Sequence, residues 1–129
     1  MEVKTHRKAN PRLLGTPVKV IEGVEAEVEL LATQEMSVDE QRLVHGGFTY
    51  GLADYAAMLA VNHPNVVLGK SESRFVAPVK VGDMMKAYAK VMEGEDRRID
   101  VKVEVSVLGN IIFKGIFNCY VLEKHVLDR

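Results

Sequence analysis

The chain has 129 residues, of which 47% are hydrophobic and 27% charged, and its formal net charge is −1. This balance is that of one soluble domain with a single core, and it excludes a disordered chain. The near-neutral charge argues against a nucleic-acid binder, which is usually strongly basic. With one cysteine, no membrane-length apolar run and no secretory signal, we expect one cytoplasmic domain over residues 1–129 that binds neither nucleic acid nor membrane.

The hydrophobic pattern predicts two strands, one helix and four more strands, in that order. Apolar residues alternate with polar ones over residues 18–30, with turn chemistry at 22–23, which is typical of a β-hairpin. After an irregular stretch over 33–44, residues 47–62 are rich in Ala, Leu and Met, which favours a helix. The later strands are expected at 66–76, 84–92, 99–108 and 111–122.

The predicted helix is apolar on nearly every side. Such a helix is buried almost all round, so in a short chain something must wrap it. Strands joined by short turns are mostly antiparallel, and a curved sheet of them can bury the helix against its apolar face. The sequence therefore predicts an α+β domain in which about six antiparallel strands wrap one long buried helix.

Asp54 is the only charged residue between His45 and Asn62, and it lies in the middle of the apolar helix. Burial penalises a carboxylate unless it is paired or its pKa shifts, and alanine would suit the helix better. Asp54 is therefore a candidate functional residue. The alternative is that its side chain points out through a gap in the sheet or accepts a backbone hydrogen bond.

His45-Gly46-Gly47 directly precedes the helix. The glycines leave backbone N–H groups at the helix start open, and these donors suit an anion or a polarised carbonyl oxygen, although an ordinary glycine turn has the same sequence. Gly46 and Asp54 are eight residues apart, about 12 Å along a helix axis. One carbonyl cannot reach both, so a shared site would need two copies of the chain. The spacing predicts a symmetric homodimer with two composite sites.

Residues 44–62, V-H-G-G-F-T-Y-G-L-A-D-Y-A-A-M-L-A-V-N, resemble the H-G-G…D helix of hotdog-fold acyl-CoA thioesterases of the phenylacetate-pathway type. Residues 74–83, R-F-V-A-P-V-K-V-G-D, resemble the strand and turn that follow it. The order of strands over about residues 16–122 also agrees. The resemblance implies a hotdog fold, sheets joined edge to edge in a homodimer, and acyl-CoA along the dimer interface. It implies no cofactor besides the coenzyme A of the substrate.

The resemblance also implies roles for three residues. Asp54 matches the catalytic carboxylate, and Gly46 matches the glycine whose N–H polarises the thioester carbonyl. His45 matches the histidine that shapes this loop. A partly desolvated Asp54 could act as a general base for water or as a nucleophile, and the sequence leaves both open.

Further candidates for substrate binding come from the loop before the helix and the strand after it. Relatives often have Asn or Gln six positions before the histidine, where this chain has Asp39, and Gln41 is the nearest substitute. A second carboxylate in the site would raise the pKa of Asp54 by like-charge repulsion. We also expect a serine hydroxyl of the following strand near the site and a cationic side chain that binds a phosphate of coenzyme A. The candidates are Gly47, Asp39, Gln41, Ser71, Ser73 and Arg74.

Three functions are compatible with these features. The first is hydrolysis of an acyl- or aryl-CoA thioester to a free acid and coenzyme A. The second is a non-catalytic acyl-CoA sensor, because residues 101–118, V-K-V-E-V…F-K-G-I-F-N, also resemble the effector domain of a bacterial fatty-acid-synthesis repressor. The third, a hotdog hydratase or dehydratase, is disfavoured because these enzymes usually carry a catalytic histidine in a different helix signature, which does not appear here. The presence of Asp54 favours the enzyme. The sequence does not determine which acyl group the substrate carries or whether that group is attached to coenzyme A or to an acyl-carrier protein. It also does not determine whether dimers pair into tetramers.

Overall fold

The computed structural model describes residues 1–128. A short helix α1 (Pro11–Leu14) and a long helix α2 (Gly46–Val61) accompany six strands. The strands are β1 (Thr16–Ile21), β2 (Glu25–Leu31), β3 (Val66–Phe75), β4 (Met84–Glu95), β5 (Arg98–Val107) and β6 (Asn110–Val121). All neighbours pair antiparallel, in the order β1-β2-β4-β5-β6-β3. This arrangement of one long helix on six antiparallel strands confirms the predicted hotdog fold.

The alternation seen in the sequence divides the sheet into an inner and an outer face. On β5, Val101, Val103 and Val105 are fully buried against the helix side, while Lys102 is exposed on the other. β2 follows the same period, with Ala26, Val28 and Leu30 buried and the two glutamates between them less so. Each buried Val or Leu side chain stabilises the fold by about 1.5–3 kcal/mol. The core therefore lies between α2 and the inner face.

The second half of α2 is buried all round, as the sequence predicted, but the first half is not. The partly or fully exposed positions include Gly47, Tyr50, Gly51 and Asp54, whose spacing places them in one stripe along the helix. The Tyr50 ring lies 5.5 Å from that of Phe117 on β6, which orients the stripe towards the β6–β3 side of the sheet. Because β3 ends the sheet there, the stripe that carries Asp54 lies beside a free strand edge.

The N-terminal segment explains why the far end of α2 is covered. Asn62 ends the helix in the left-handed region at φ 54° and is only 2% exposed. Its Nδ2 donates to the Glu2 carbonyl at 2.7 Å, and its Oδ1 accepts from the Lys4 N–H at 2.8 Å. Asn10 caps the unpredicted helix α1, which begins with proline at its first turn. Residues 2–14 thus form a strap over the helix.

Candidate active site

The start of α2 leaves one backbone donor open. His45 is the N-cap, and its Nδ1 accepts the Gly47 N–H at 2.7 Å. Nδ1 is therefore an acceptor, and the histidine satisfies one of the N–H groups of the first turn that have no partner within the helix. Within residues 1–128 the Gly46 N–H has no hydrogen-bond acceptor. It remains an available donor at the positive end of the helix dipole.

Backbone hydrogen bonds to two other segments hold the residues just before Gly46 in place. The His45 N–H donates to the Met36 carbonyl at 3.0 Å, and the Val44 N–H donates to the Val79 carbonyl at 2.9 Å. Val79 belongs to the block R-F-V-A-P-V-K-V-G-D, so this block supports the start of the helix. The backbone around Gly46 is consequently fixed by bonds to residues distant in sequence, and its free N–H has a defined direction.

Asp54 is a partly buried carboxylate, and one of its two oxygens is buried without a hydrogen-bond partner. Its Oδ1 is inaccessible to water and receives no hydrogen bond from any group in the described chain. Burial raises the pKa of Asp54 from its usual 3.8 to about 6. Burial alone causes this shift, so Asp39 contributes no repulsion within the chain. A carboxylate that is ionised at neutral pH yet easily protonated suits a general base or a nucleophile.

A chain of hydroxyl groups lies one helical turn from Asp54. Tyr50 Oη and Ser71 Oγ are 2.6 Å apart, and Ser73 Oγ donates to Ser71 Oγ at 3.3 Å. If the more acidic phenol donates, Ser71 accepts two hydrogen bonds and keeps its own hydrogen free for a ligand. The sequence reasoning included both serines but missed Tyr50. Tyr50 could have been found from the sequence, because it lies four positions before Asp54 and places a hydroxyl group on the same face of the helix.

Three other predicted residues lie in the loop before α2 and near the end of β3. Asp39 Oδ1 accepts the N–H groups of Gln41 and Leu43, each at 3.0 Å, so its carboxylate organises its own loop. Gln41 is exposed in that loop, and Arg74 is exposed near the end of β3. The structure places His45, Gly46, Gly47 and Asp54 along α2, and Ser71 of β3 hydrogen-bonds to Tyr50 of that helix and to Ser73. The roles of Asp39, Gln41 and Arg74 in binding stay predictions.

The cysteine in the described part of the chain is not a competing nucleophile. Cys119 is fully buried, and burial, with a smaller effect from the charge of Asp54, raises the pKa of its thiol to about 12. The thiol stays protonated and is not a nucleophile at neutral pH.

No group of three or more His, Cys, Asp or Glu side chains among residues 1–128 could hold a metal ion. None of the helices in that range is long and apolar enough to cross a bilayer.

The fold and the H-G-G…D helix define the class of the protein. The family model of the thioesterase superfamily matches residues 41–111, and the chain belongs to that superfamily. An uncharacterized protein of Pyrococcus horikoshii is 55% identical in sequence, with a TM-score of 0.97 over 99% of this chain and 98% of that one. A mutant of the phenylacetic acid degradation protein PaaI of Thermus thermophilus is 26% identical, with a TM-score of 0.77 over 87% of this chain and 97% of that one.

Two curated relatives are longer proteins. A methylthioribose-1-phosphate isomerase of Aquifex aeolicus is 47% identical over 91% of this chain but only 25% of its own length. The transcription factor FapR of Caldanaerobacter subterraneus is 28% identical over 75% of this chain and 48% of its own length. The chain thus spans between a quarter and about half of the length of these two relatives.

Proposed function

We propose that the protein is an acyl-CoA thioesterase that hydrolyses an acyl- or aryl-CoA to a free acid and coenzyme A. The observation that carries the proposal is the unpartnered Oδ1 of Asp54 in the stripe beside the sheet edge. A buried carboxylate without a hydrogen bond destabilises the fold, and such groups are found where chemistry requires them. The relationship to PaaI, a phenylacetic acid degradation protein, supports an aryl or short acyl substrate.

Thioester hydrolysis needs two groups that this chain supplies. The Gly46 N–H donates to the carbonyl oxygen as negative charge develops there, a contribution of about 100- to 1,000-fold in rate for one such donor. The Asp54 carboxylate removes a proton from the attacking water, or attacks the carbonyl itself and is released by water afterwards. In either case the thiolate of coenzyme A leaves and takes up a proton.

The two groups act on one substrate only if two chains meet. Both residues belong to α2, eight positions apart, so about 12 Å separates them along the axis. Within residues 1–128 the ten-residue strand β3 pairs only with β6, which leaves its other edge available for pairing. Two β3 strands joined antiparallel about a two-fold axis would extend one sheet across both chains and set their α2 helices side by side. The Gly46 N–H of one chain would then face the Asp54 carboxylate of the other.

The proposal is tested by thiol release from a panel of aryl- and alkyl-acyl-CoAs. We expect turnover of at least one member and release of coenzyme A in equal amount to free acid. Absence of release from every member, in a protein that binds acyl-CoA, would contradict hydrolysis. That outcome would favour the second candidate, a non-catalytic acyl-CoA-binding protein, for which the similarity to FapR is the supporting observation.

The rate should depend on pH through Asp54. Because burial raises the pKa of Asp54 to about 6, the carboxylate is largely protonated at pH 5 and ionised above pH 7. Both proposed roles need the ionised form, so kcat is expected to rise about tenfold per pH unit below pH 6 and to level off above it. The profile is measured on wild-type protein between pH 4.5 and 8.5, at pH values where circular dichroism shows an intact fold. A rate independent of pH between 5 and 7 would exclude Asp54 as the titrating group.

A further inference from the structure

The strap follows one side of α2 over about three turns. The Leu14 side chain rests on Gly51, since a Cβ at position 51 would lie 3.2 Å from Leu14 Cδ2. One turn further along the helix, the His6 ring lies 6.2 Å from the Tyr55 ring. The first residues of the strap then reach Asn62, where α2 ends. The strap is therefore held against the helix at both of its ends and near its middle.

Asp54 lies on the side of α2 that borders the strap. Thr49 faces the sheet, because its hydroxyl donates to the sulfur of Met85 on β4 at 3.3 Å. Asp54 is five residues further on, which places it about 140° around the helix and so away from β4. Gly51 and Tyr55, which the strap contacts, lie about 60° and 100° from Asp54 in the same direction around the helix. The strap is thus the next element beside Asp54 on that side.

Burial changes along this side of α2 at the position of Asp54. Towards the start of the helix the side is partly or fully exposed. Met58, four residues after Asp54 on the same side, is only 1% exposed although it too lies away from β4. The cover comes from the strap, whose Val3, Ala9 and Leu14 pack against the same core. Asp54 lies at the edge of this cover, and its Oδ1 is inaccessible to water.

We propose that Asn62 is a positioning residue of the active site, which fastens the strap over α2 so that the strap keeps water from one oxygen of Asp54. The inference rests on the proposed function, because it takes Asp54 as the reacting group. Asn62 suits this task, since both polar groups of its side chain bond to the strap backbone. A carboxylate that is shielded from water is less stabilised as an anion and is a stronger base. The fastened strap therefore makes Asp54 more reactive towards a proton.

The ionisable groups closest to Asp54 are uncharged at neutral pH. Partial burial lowers the pKa of the His6 ring in the strap, so the ring is neutral at pH 7. Burial raises the pKa of Tyr55 and raises that of Cys119 on β6 to about 12, so both stay protonated. Tyr50, one turn before Asp54, is a hydrogen-bonded phenol. A protonated His6 would favour the anion of Asp54, which is opposite to the effect of shielding.

The charged side chains on the elements around Asp54 are exposed to solvent. On the strap these are Glu2, Lys4, Arg7, Lys8 and Arg12. On β3 and β6 they are Lys70, Glu72, Arg74 and Lys114. Burial is accordingly the one cause of the raised pKa of Asp54, and removal of the cover is expected to lower that pKa.

The titration of Asp54 tests the proposal without any turnover. NMR of protein labelled at the aspartate carboxyl carbons follows it between pH 4 and pH 8, and the spectrum of Asp54→Asn identifies its signal. The midpoint should be about 6 in the wild type. Asn62→Gly keeps the left-handed backbone at φ 54° and removes both bonds to the strap. We expect the midpoint in this variant to fall by about one pH unit, towards 3.8.

Two further variants separate a loosened strap from a weakened fold. Leu14→Ala removes the side chain that rests on Gly51 and should also lower the midpoint, which gives the same test if Asn62→Gly does not fold. Val103→Ala leaves a cavity on β5, on the far side of α2 from the strap, and weakens the fold without loosening the strap. It should leave the Asp54 midpoint unchanged.

Activity gives a second readout, which depends on the proposed hydrolysis. Because Asp54 ionises at lower pH under a loosened strap, the ratio of kcat at pH 5 to kcat at pH 8 should rise about fivefold in Asn62→Gly. A merely structural role would lower kcat alike at both pH values.

A midpoint that stays at about 6 under a loosened strap, or that falls equally in Val103→Ala, would overturn the proposal. The proposed hydrolysis is judged separately. A lowered midpoint in a protein that releases no thiol from acyl-CoA would retain the role of the strap and reject the enzyme. Turnover with an unchanged midpoint would retain the enzyme and reject the role of the strap.

Discussion

Replacing Asp54 by asparagine is expected to lower kcat by two or more orders of magnitude, on the order of 3 kcal/mol in activation free energy. Asparagine is nearly isosteric with aspartate, so the packing of α2 is preserved. Its amide neither accepts a proton from water nor attacks a thioester, so both proposed roles are removed together. Steady-state thiol release from the best acyl-CoA of the panel measures the change. Near-normal turnover would contradict a catalytic role for Asp54.

The same substitution should stabilise the fold. A variant that is less active but more stable has lost activity through its chemistry and not through unfolding. The raised pKa means that the native state holds the Asp54 proton more tightly than the unfolded chain does. This favourable contribution is complete below about pH 4 and is lost as the pH rises through about 6. Above pH 7 the charged carboxylate therefore destabilises the fold, by up to about 3 kcal/mol at about 1.4 kcal/mol per pKa unit. Asp54→Asn should raise the free energy of unfolding at pH 8 and change it little at pH 4.

Replacing Gly46 by proline is expected to reduce kcat/KM about 100- to 1,000-fold, because it deletes the one free donor at the helix start. The backbone accepts proline here. Position 46 is the first residue of α2, where proline is favoured, and His45 has φ −62° and ψ 132°, the extended conformation required before proline. The helix should form unchanged, as circular dichroism would verify.

Gly46→Ala is the matched control for this loss. It places the same Cβ against the Phe75 ring at 3.0 Å but keeps the N–H. Phe75 is 56% exposed, so its ring can move by the few tenths of an ångström required. Gly46→Ala should retain most of the activity. If it loses as much as Gly46→Pro, the damage comes from the added carbon and the donor has no special role.

The helix, the sheet and Asp54 could all be predicted from the sequence because each has a local signal. The apolar run at 47–62 predicted α2, which spans Gly46–Val61, and strict alternation predicted β5 at 99–108 against the observed Arg98–Val107. Asp54 stood out because a charge in an apolar helix conflicts with its surroundings. The predicted catalytic roles of Asp54, Gly46 and His45 remain predictions that the geometry makes testable.

The features that the sequence did not predict depend on contacts between distant residues. The pairing of Tyr50 with Ser71 requires the side of α2 that faces β3 to be known, and the helix is too apolar for its pattern to indicate a face. The strap over α2 depends on Asn62 bonding to Glu2 and Lys4, some 60 residues away. Helix α1 was missed although Asn10-Pro11 is a usual start, since four residues produce no periodic pattern.

The central claim is that each active site combines Gly46 of one chain with Asp54 of another, and mixing two inactive variants tests it most directly. Gly46→Pro and Asp54→Asn proteins are unfolded together, refolded as a mixture and assayed for thiol release. In a random mixture half of the dimers are mixed, and one of the two sites in each contains an intact Gly46 and an intact Asp54. A composite site therefore predicts recovery of about a quarter of wild-type activity. Recovery of none, in a mixture shown by mass spectrometry to contain mixed dimers, would contradict it.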